Sequence, residues 1–442
     1  MPQEKLKIKG SKALHGEILV SGAKNAVLKQ MAAALILPKS KVKLSNVPEL
    51  SDVYSMIDIL TLLGAEISFK DKVLEIDSTN LSSDMVPIEL ARKLRASFVC
   101  LGALVARFKN AQVALPGGCD LGARKVDLHL KGLKALGVKI TEEHGYVFAS
   151  ADKLVGTKIY LDLPSNGATE NIMIAAVMAE GETIIENAAR DPEIVDLAKF
   201  LNSLGCKITG AGTSNIHIEG VVADDLQGSD FRCLPDRIEA ATYLVAGAMT
   251  KGRVRANSVV EEDLQALLSK LEDVGVDITI FKSEIEGLVD IEVSAENRIL
   301  KATDVKTMWY PGFSTDIQPI FSVLLALCDG TSTVVENIYN SRFQHIEELQ
   351  KMGSKADVNG EVAVITGVDK LKATQVEGRD LRATAALVVA ALAAEGTSEV
   401  RGLIHLDRGY EELEAKFRSL GATIERVPDN SINSEAKATV KI

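Results

Sequence analysis

The chain has 442 residues, 46% of them hydrophobic, and a formal net charge of -11. A chain of that length is too long for one ordinary hydrophobic core, which predicts more than one domain. The acidic net charge argues against a nucleic-acid partner, because a protein that binds nucleic acid needs a basic face. The charged start MPQEKLKIKG and the absence of an apolar run near the roughly 20 residues of a spanning helix predict neither secretion nor a membrane partner. Five single cysteines without metal-ligand spacing predict no metal, no disulfide framework and a cytoplasmic location.

One short phrase recurs along the chain as LLGAEI, ALGVKI, SLGCKI, DVGVDI, KMGSKA and SLGATI. Its glycines are Gly64, Gly137, Gly205, Gly275, Gly353 and Gly421. Successive glycines lie 73, 68, 70, 78 and 68 residues apart, which indicates a sixfold repeat. Each phrase predicts the end of an amphipathic helix, closed by a glycine in the left-handed conformation and followed by a strand.

Each repeat is predicted to hold two helices and several strands. Upstream of the glycine phrase, stretches such as AAVMAEGETIIENAA run from an alanine-rich helix through glycine into a β-branched strand. The alanine-rich helix is apolar all round and is predicted to be buried, with the amphipathic helix on an outer face. The amphipathic helices before Gly205 and Gly421 are predicted to bury Ile194, Leu197, Leu201 and Leu204, and Tyr410, Leu413, Phe417 and Leu420. Asp191 is the predicted N-cap of the first of them and Pro192 its first residue.

Six repeats in a chain of this length favour two α/β domains of three repeats each, with ligands bound where the domains meet. The alternative is a solenoid of six stacked repeats. A period of about seventy residues is longer than the roughly 20 to 47 residues usual for solenoids, which disfavours that alternative.

The first candidate site residues are Lys24 and Asn25 in SGAKNA, immediately before an apolar helix. A lysine at this place could meet an anion at the helix N-terminus. A lone lysine is more often solvated, so the motif alone is weak evidence.

Cys119 follows the diglycine turn in PGGCDLGARKVDLH. A thiol in polar turn sequence is exposed, and nearby Arg124 could favour its thiolate, which predicts a reactive cysteine. The alternative is a small apolar filler. That interpretation is preferred for Cys100, Cys206, Cys233 and Cys328, which stand in apolar or strand-like sequence.

Asp316 in YPGFSTDIQ lies among turn formers before an apolar helix, where it could cap the helix or take a proton; the sequence leaves both open. Several arginines interrupt apolar or loop sequence: Arg95, Arg124, Arg342, Arg382 and Arg408. A lone arginine is usually a surface charge, but one that opens the helix RATAALVVAALAA would cost several kcal/mol to bury unpaired. Arginine binds phosphate and carboxylate in bidentate geometry, so this set favours a polyanionic small-molecule substrate. There is no GxxxxGK[ST] phosphate loop, and the glycines of GARKVD do not follow a strand in GxGxxG spacing, which argues against a dinucleotide enzyme.

These stretches together resemble one family over nearly the whole chain, from about residue 6 to residue 427. The chain is similar to the UDP-N-acetylglucosamine 1-carboxyvinyltransferases, the enolpyruvyl transferases of peptidoglycan synthesis. The stretches that carry the resemblance are SGAKNA, RAS, LPGGC, GAR, VDLH, GATEN, ENAARDPEIVD, LPDRIEA, GFSTDIQ and LDRGYEELE. The resemblance implies an inside-out α/β barrel of two domains, each with three βαβαββ-type repeats. It implies one domain from residues 1–22 plus 235–442, which carries the general base, and one from residues 23–234, which carries the cysteine loop.

The resemblance also implies the reaction. Enolpyruvate passes from phosphoenolpyruvate to the 3′-hydroxyl of UDP-N-acetylglucosamine by addition and elimination, phosphate is released, and no cofactor takes part. Cys119 would protonate the methylene carbon, form a covalent adduct and react with fosfomycin, and Asp316 would be the general base. The implied catalytic residues are Cys119, Asp316, Lys24 and Arg408. The implied substrate contacts are Lys24, Asn25, Arg95, Arg124, Val126, Asp127, Leu128, Ser165, Asn166, Gly167, Asp316, Ile338, Arg342, Arg382 and Arg408.

The sequence departs from the family pattern at several positions, and these departures affect the implied contacts with the nucleotide. The family usually has proline where Lys125 and Ser314 stand, a residue such as valine at Asn166 and often a polar residue near Leu163. The tail from Pro428 is predicted to be disordered, and the sequence does not specify an oligomeric state. The sister enzyme 3-phosphoshikimate 1-carboxyvinyltransferase lacks the cysteine turn, which disfavours that alternative. A catalytically inactive relative that only binds nucleotide sugar is disfavoured because every implied catalytic position is filled.

Overall fold

A computed structural model describes residues 4–116 and 126–429 of the chain. All six repeat glycines have positive φ, from 90° at Gly421 to 103° at Gly64, as the sequence predicts for helix-closing positions. The four predicted positions before Gly205 are all fully buried. Those before Gly421 are buried too, although Tyr410 precedes the helix, which begins only at Leu413. Asp191 occupies its predicted N-cap position, although its side chain accepts no capping hydrogen bond from a helix amide, and Pro192 opens the helix.

The described residues form the following α-helices in chain order. They are α1 Lys24–Ala33, α2 Ser51–Leu62, α3 Ile88–Ala91, α4 Cys100–Phe108, α5 Asp127–Ala135, α6 Asn166–Ala176, α7 Pro192–Ser203, α8 Arg237–Met249, α9 Gln265–Asp273, α10 Gln318–Leu325, α11 Gln344–Lys351, α12 Leu381–Ala393, α13 Leu403–Leu406 and α14 Leu413–Ser419. Short 3-10 helices cover Ala34–Ile36, Arg95–Val99, Ala223–Asp225 and Glu262–Leu264.

The strands in the first half of the chain are β1 Glu4–Lys9, β2 His15–Leu19, β3 Lys41–Ser45, β4 Glu66–Lys70, β5 Val73–Asp77, β6 Met85–Val86, β7 Asn110–Ala114, β8 Lys139–Glu143, β9 Tyr146–Ser150, β10 Lys158–Tyr160, β11 Glu182–Glu186, β12 Lys207–Thr209 and β13 Asn215–Glu219. Those that follow are β14 Asp230–Arg232, β15 Arg253–Val259, β16 Asp277–Lys282, β17 Val289–Ser294, β18 Val305–Lys306, β19 Thr331–Val335, β20 Lys355–Asn359, β21 Val362–Thr366, β22 Gln375–Glu377, β23 Thr397–Arg401 and β24 Thr423–Pro428.

The described residues form two compact units. The middle unit comprises Ser21–Asp236 with Trp309–Pro311, and the terminal unit is drawn from Met1–Val20, Arg237–Met308 and Gly312–Ile442. Each has its own hydrophobic core. Each unit therefore has the separate hydrophobic core that characterises a domain.

The middle unit contains three four-stranded sheets, one per repeat. Their strand orders are β14-β3-β5-β4, β6-β7-β9-β8 and β10-β11-β13-β12. In each sheet the first two strands are parallel and the last two form an antiparallel hairpin. This is the βαβαββ repeat, except that β14, from the end of the unit, supplies the leading strand of the first repeat.

The terminal unit repeats the same plan, with strand orders β16-β17-β15-β2, β18-β19-β21-β20 and β22-β23-β1-β24. Two of its sheets use strands from the start of the chain. β2 pairs parallel to β15, and β1 lies between β23 and β24. The terminal unit is thus completed by segments far apart in sequence.

Within each unit the alanine-rich helices lie inside the sheets, whereas helices before the repeat glycines, such as α9, bury one side only. α8 is buried along its whole length, as is nearly all of α12 and α6. Strands such as β5 and β13 instead alternate buried and exposed residues, so one sheet face meets the helices and the other meets solvent. The predicted burial of the alanine-rich helices is confirmed, and this arrangement is an inside-out α/β barrel.

Candidate active-site residues

In the middle unit the predicted site residues gather at the N-terminal ends of helices. α1 begins at Lys24, α5 at Asp127 and α6 at Asn166, and a 3-10 helix begins at Arg95. A helix N-terminus presents unpaired backbone amides and partial positive charge, which favours anions. This part of the unit is therefore chemically suited to phosphate and carboxylate groups.

Lys24 is not a solvated surface lysine. Its relative exposure is 9%, and its Nζ donates to Asp52 Oδ2 over 3.0 Å. Asp52 lies in the first turn of α2 and is itself buried. The carboxylate compensates for the cost of burying the ammonium group and fixes its position at the start of α1.

The first turn of α6 is capped by Ser165, whose Oγ accepts a hydrogen bond from Ala168 N at 3.4 Å. Asn166, which stands where the family pattern differs, is exposed. Leu163 is 55% exposed. A Cβ atom built on Gly167 would lie only 2.9 Å from His129 Cε1, so the backbone here closely approaches the histidine ring.

A buried asparagine joins three of these elements. Asn171 Oδ1 accepts from Gly102 N at 2.6 Å, and its Nδ2 donates to Phe98 O and to His129 Nδ1, both at 3.0 Å. Burial, aided by the charges of Arg95 and Lys29, lowers the pKa of His129 to about 3. The imidazole is therefore neutral, and its Nδ1 is the acceptor, which leaves its proton on Nε2. Asn171 thus connects α6 with α4, α5 and the 3-10 helix at Arg95.

A second buried contact joins α1 to α6. Lys29 Nζ lies 3.3 Å from Glu170 Oε1 and donates to Asn25 O over 2.9 Å. Burial raises the pKa of Glu170, and nearby Lys29 opposes that effect. The helix that begins at Lys24 and the helix that begins at Asn166 are therefore held together by a polar pair.

In the terminal unit, Asp316, Arg342 and Arg382 lie together. Arg382 Nη2 donates to Asp316 Oδ2 over 3.1 Å, and Arg342 Nη2 donates to Asp316 Oδ1. The guanidinium groups are buried, with side-chain exposures of 2% and 5%, whereas that of Asp316 is 28%. The carboxylate is accessible and the two cations lie behind it.

The local chain explains why Asp316 is not a simple helix cap. The N-cap position of α10 is Ile317, one residue later. Asp316 N donates to Ser314 Oγ over 3.2 Å, so Ser314 stabilises this turn. The structure favours the chemical interpretation of Asp316 over the capping one.

Arg382 is the second residue of α12, and Asp380 caps that helix by accepting from Arg382 N and Ala383 N. Its guanidinium lies 5.8 Å from the centre of the Tyr410 ring. Arg408 precedes Tyr410 in the turn after α13. Ile338 lies between β19 and α11, on the same connection as Arg342.

The candidate thiol Cys119, with Arg124 and Lys125, lies outside the described residues. The other four cysteines are unpaired and buried, which confirms the filler interpretation. Burial raises the pKa of Cys100, Cys206 and Cys328 to about 12, and that of Cys233 also rises. None of these four is a thiolate near neutral pH.

Residues 4–116 and 126–429 hold neither a candidate metal site nor a candidate membrane span. This part of the chain contains no group of three or more His, Cys, Asp or Glu side chains that could hold a metal ion. None of the helices described there is long and apolar enough to span a bilayer.

Sequence reasoning missed Asp52 and Asn171. Asn171, with Glu170, interrupts the otherwise apolar helix ATENIMIAA, and a polar pair in such a helix is a signal that needs explanation. Asp52 had no such signal, since it stands in ordinary helix-opening sequence, LSDVYS.

The comparisons with known proteins all give 1-carboxyvinyltransferases, but the family description and the relatives' names differ in the acceptor. Residues 8–417 match the family described as EPSP synthase (3-phosphoshikimate 1-carboxyvinyltransferase). The chain is 48% identical over 426 residues to "UDP-N-acetylglucosamine 1-carboxyvinyltransferase 2" of Carboxydothermus hydrogenoformans, covering 96% of this chain and 100% of that protein. It is also 48% identical over 427 residues to the UDP-N-acetylglucosamine 1-carboxyvinyltransferase of Shewanella halifaxensis, covering 96% and 99% of the two chains.

Solved structures support the fold. The enolpyruvyl transferase NikO from Streptomyces tendae superposes with a TM-score of 0.87 at 24% identity, over 97% of this chain and 100% of that one. EPSP synthase from Acinetobacter baumannii gives a TM-score of 0.72 at 18% identity, over 96% and 100% of the two chains. The predicted α/β fold class is confirmed.

Proposed function

The chain belongs to the UDP-N-acetylglucosamine 1-carboxyvinyltransferase family, and we infer that it is a carboxyvinyl transferase of peptidoglycan precursor synthesis. It transfers enolpyruvate from phosphoenolpyruvate to the 3′-hydroxyl of UDP-N-acetylglucosamine and releases phosphate. The single observation that carries this conclusion is 48% identity over 426 residues, which spans the whole of a relative with that name. The residue roles that follow are proposals supported by the geometry of each unit.

We assign the general base to Asp316. Each carboxylate oxygen has two acceptor positions, so the contacts with Arg342 and Arg382 leave room for a sugar hydroxyl. The 28% exposure of this side chain supports access by substrate, and the buried guanidinium groups fix its orientation. Arg382, with Arg408, would also attract the carboxylate and phosphate of the donor.

We assign donor and acceptor binding in the middle unit to the helix N-termini. Lys24 and Asn25, at the start of α1, would hold phosphoenolpyruvate, with Arg124. Arg95, the turn Val126–Leu128 and residues 165–167 would contact the nucleotide sugar, together with Ile338 of the terminal unit. Two anionic substrates repel each other, and a set of amides and cations lowers that cost.

We assign the general acid to Cys119. The remaining cysteines are buried thiols with raised pKa values, so Cys119 is the one left for chemistry. An unperturbed thiol, with a pKa of about 8.5, is largely protonated at neutral pH and can donate a proton. The same sulfur could add to the donor as a covalent adduct.

The reaction has two proposed steps, an addition and an elimination. In the addition, the 3′-oxygen of the sugar bonds to carbon 2 of phosphoenolpyruvate, its proton passes to Asp316, and carbon 3 takes a proton from Cys119. In the elimination, carbon 3 gives a proton back to the thiolate, the double bond re-forms and the bond from carbon 2 to the phosphate oxygen breaks. Asp316 then loses its proton to water, and inorganic phosphate leaves.

We propose that the domains of residues 1–22 plus 235–442 and of residues 23–234 serve this one reaction, the first supplying the base and the second the acid. We propose that the protein is located in the cytoplasm. The four cysteines that the structure describes are free thiols, as is usual in reducing compartments.

The test measures phosphate release from phosphoenolpyruvate with two acceptors. Release with UDP-N-acetylglucosamine and none with shikimate 3-phosphate is expected. Release with shikimate 3-phosphate alone would assign the sister activity and overturn the proposal. The Cys119→Ser variant is expected to lose most turnover and its sensitivity to alkylation by fosfomycin; inactivation at the wild-type rate would point to another nucleophile.

A further inference from the structure

A second carboxylate lies close to Asp316 and has no role in the steps above. Glu336 directly follows β19, and its side chain is 1% exposed. Its oxygens accept hydrogen bonds from two hydroxyls, Thr307 Oγ1 at 2.9 Å and Thr315 Oγ1 at 3.0 Å. Backbone amides complete its partners, Ile338 N at 2.8 Å and Tyr339 N at 3.1 Å.

Burying this carboxylate is costly. No lysine or arginine within residues 4–116 and 126–429 forms an ion pair with Glu336, so neutral donors alone replace its hydration. A buried acidic group that is fully hydrogen-bonded but has no counter-ion is unusual for a structural position. The residues that donate hydrogen bonds to Glu336 indicate its role.

One set of contacts leads to the proposed base. Thr315 immediately precedes Asp316, and its hydroxyl is held by Glu336 Oε2. The carbonyl of Thr315 accepts from Arg342 Nε over 3.1 Å, and the same guanidinium donates to Asp316. The position of the Thr315 backbone therefore sets both Asp316 and the arginine behind it.

The other set of contacts leads to the connection between β19 and α11. Glu336 Oε1 holds the amides of Ile338 and Tyr339. Thr307 ties the start of this connection further, because its Oγ1 accepts from Asn337 N at 2.9 Å. Glu336 Oε1 therefore shapes the turn at Ile338, and Oε2 shapes the turn at Asp316.

We propose that Glu336 is a positioning residue for catalysis, which holds the general base through Thr315 and the acceptor-binding turn through the Ile338 amide. This inference rests on the proposed function. It implies that the two carboxylate oxygens have separable effects, Oε2 on kcat and Oε1 on the KM for UDP-N-acetylglucosamine. A merely structural residue would alter stability without such a split.

The test compares Glu336→Gln, Thr315→Val and the double variant in the full-length enzyme. Glutamine keeps an acceptor for Thr307 and the two amides, so we expect kcat to fall about 10- to 100-fold with KM nearly unchanged, the range for a slightly misplaced catalytic group. Thr315→Val breaks the same contact and should give a similar loss. The double variant should be no slower than the slower single variant, because both changes remove one interaction. Glu336→Ala removes the acceptor for Ile338 N as well, and its KM for the nucleotide sugar should rise several-fold.

The controls separate positioning from folding. Glu348 is also a buried glutamate of the terminal unit and accepts from Glu377 N at 3.1 Å, so Glu348→Gln should keep kcat and KM within about twofold. Thr315→Ser keeps the hydroxyl and should retain most activity. Multiplicative losses in the double variant, or a wild-type kcat in Glu336→Gln, would overturn the inference. Failure of the wild-type enzyme to use UDP-N-acetylglucosamine would instead overturn the proposed function.

Discussion

Replacing Asn171 with alanine removes the amide group that connects α6 to its neighbours in the middle unit. Gly102 N loses its side-chain acceptor and stays buried, since Asn171 is 0% exposed, and Phe98 O keeps only the Cys100 amide as a donor. The helices cannot close the gap, because a Cβ on Gly102 would already lie 2.3 Å from Asn171 O. An unpaired buried group costs about 1 to 3 kcal/mol, so we expect a loss of about 3 kcal/mol in the free energy of unfolding. His129 also loses its fixed orientation beside Gly167, so the KM for the nucleotide sugar should rise.

The assay combines urea unfolding, hydrogen exchange of the peptide Cys100–Phe108 and steady-state kinetics. Asn202→Ala is the matched control, since the Asn202 side chain also bonds two backbone groups, Ile208 N at 2.8 Å and Ile208 O at 2.8 Å. Because Asn202 is exposed, this variant should lose less stability than Asn171→Ala, and its KM should not change. Wild-type exchange of the Gly102 amide in Asn171→Ala, or an equal rise of KM in Asn202→Ala, would refute the reasoning.

Two further predictions concern the middle unit. Burial raises the pKa of Asp196 from 3.8 to about 7, so the folded chain binds a proton that the unfolded chain has lost between these pH values. Stability should therefore fall as pH rises through that window and then level off; thermal unfolding of Asp196→Asn should lack this slope, and an unchanged slope would contradict the assignment. Gly167→Ala places a Cβ 2.9 Å from His129 Cε1, so its KM for UDP-N-acetylglucosamine should rise while its melting temperature shifts little; an unchanged KM would exclude this turn from acceptor binding.

The repeat architecture was predictable because its signals are local. A C′ glycine, a helix period of 3.6 residues and a β-branched strand lie within a few residues of one another, and the six glycines adopt the predicted positive φ. The exchange of strands was not predictable from these signals. β1 closes the sheet of the last repeat and β14 opens the sheet of the first, and nothing near either strand specifies its distant partner.

In the candidate site, too, features with a local sequence signal were predictable and features that depend on the fold were not. Lys24 and Asp316 were found because each stands in an unusual local context, a lysine between small residues and an aspartate among turn formers. Asp52 was not predicted at all, and Arg382 was predicted as a site residue but not as the partner of Asp316. Asp52 lies 28 residues from Lys24, and Arg382 lies 66 residues from Asp316, so only the folded chain brings them together. Buried polar contacts of this kind depend on tertiary geometry rather than on a sequence pattern.

The most direct measurement of the central claim is the reaction run in heavy water with phosphoenolpyruvate and UDP-N-acetylglucosamine, with the product examined by mass spectrometry and NMR. Addition and elimination require a solvent-derived proton at carbon 3, so the account predicts an enolpyruvyl ether at the 3′-oxygen that carries deuterium on its vinyl carbon. The same product without vinyl deuterium would contradict the proposed protonation of carbon 3 by an exchangeable acid. No ether at all, despite a folded protein and both substrates, would contradict the assigned function.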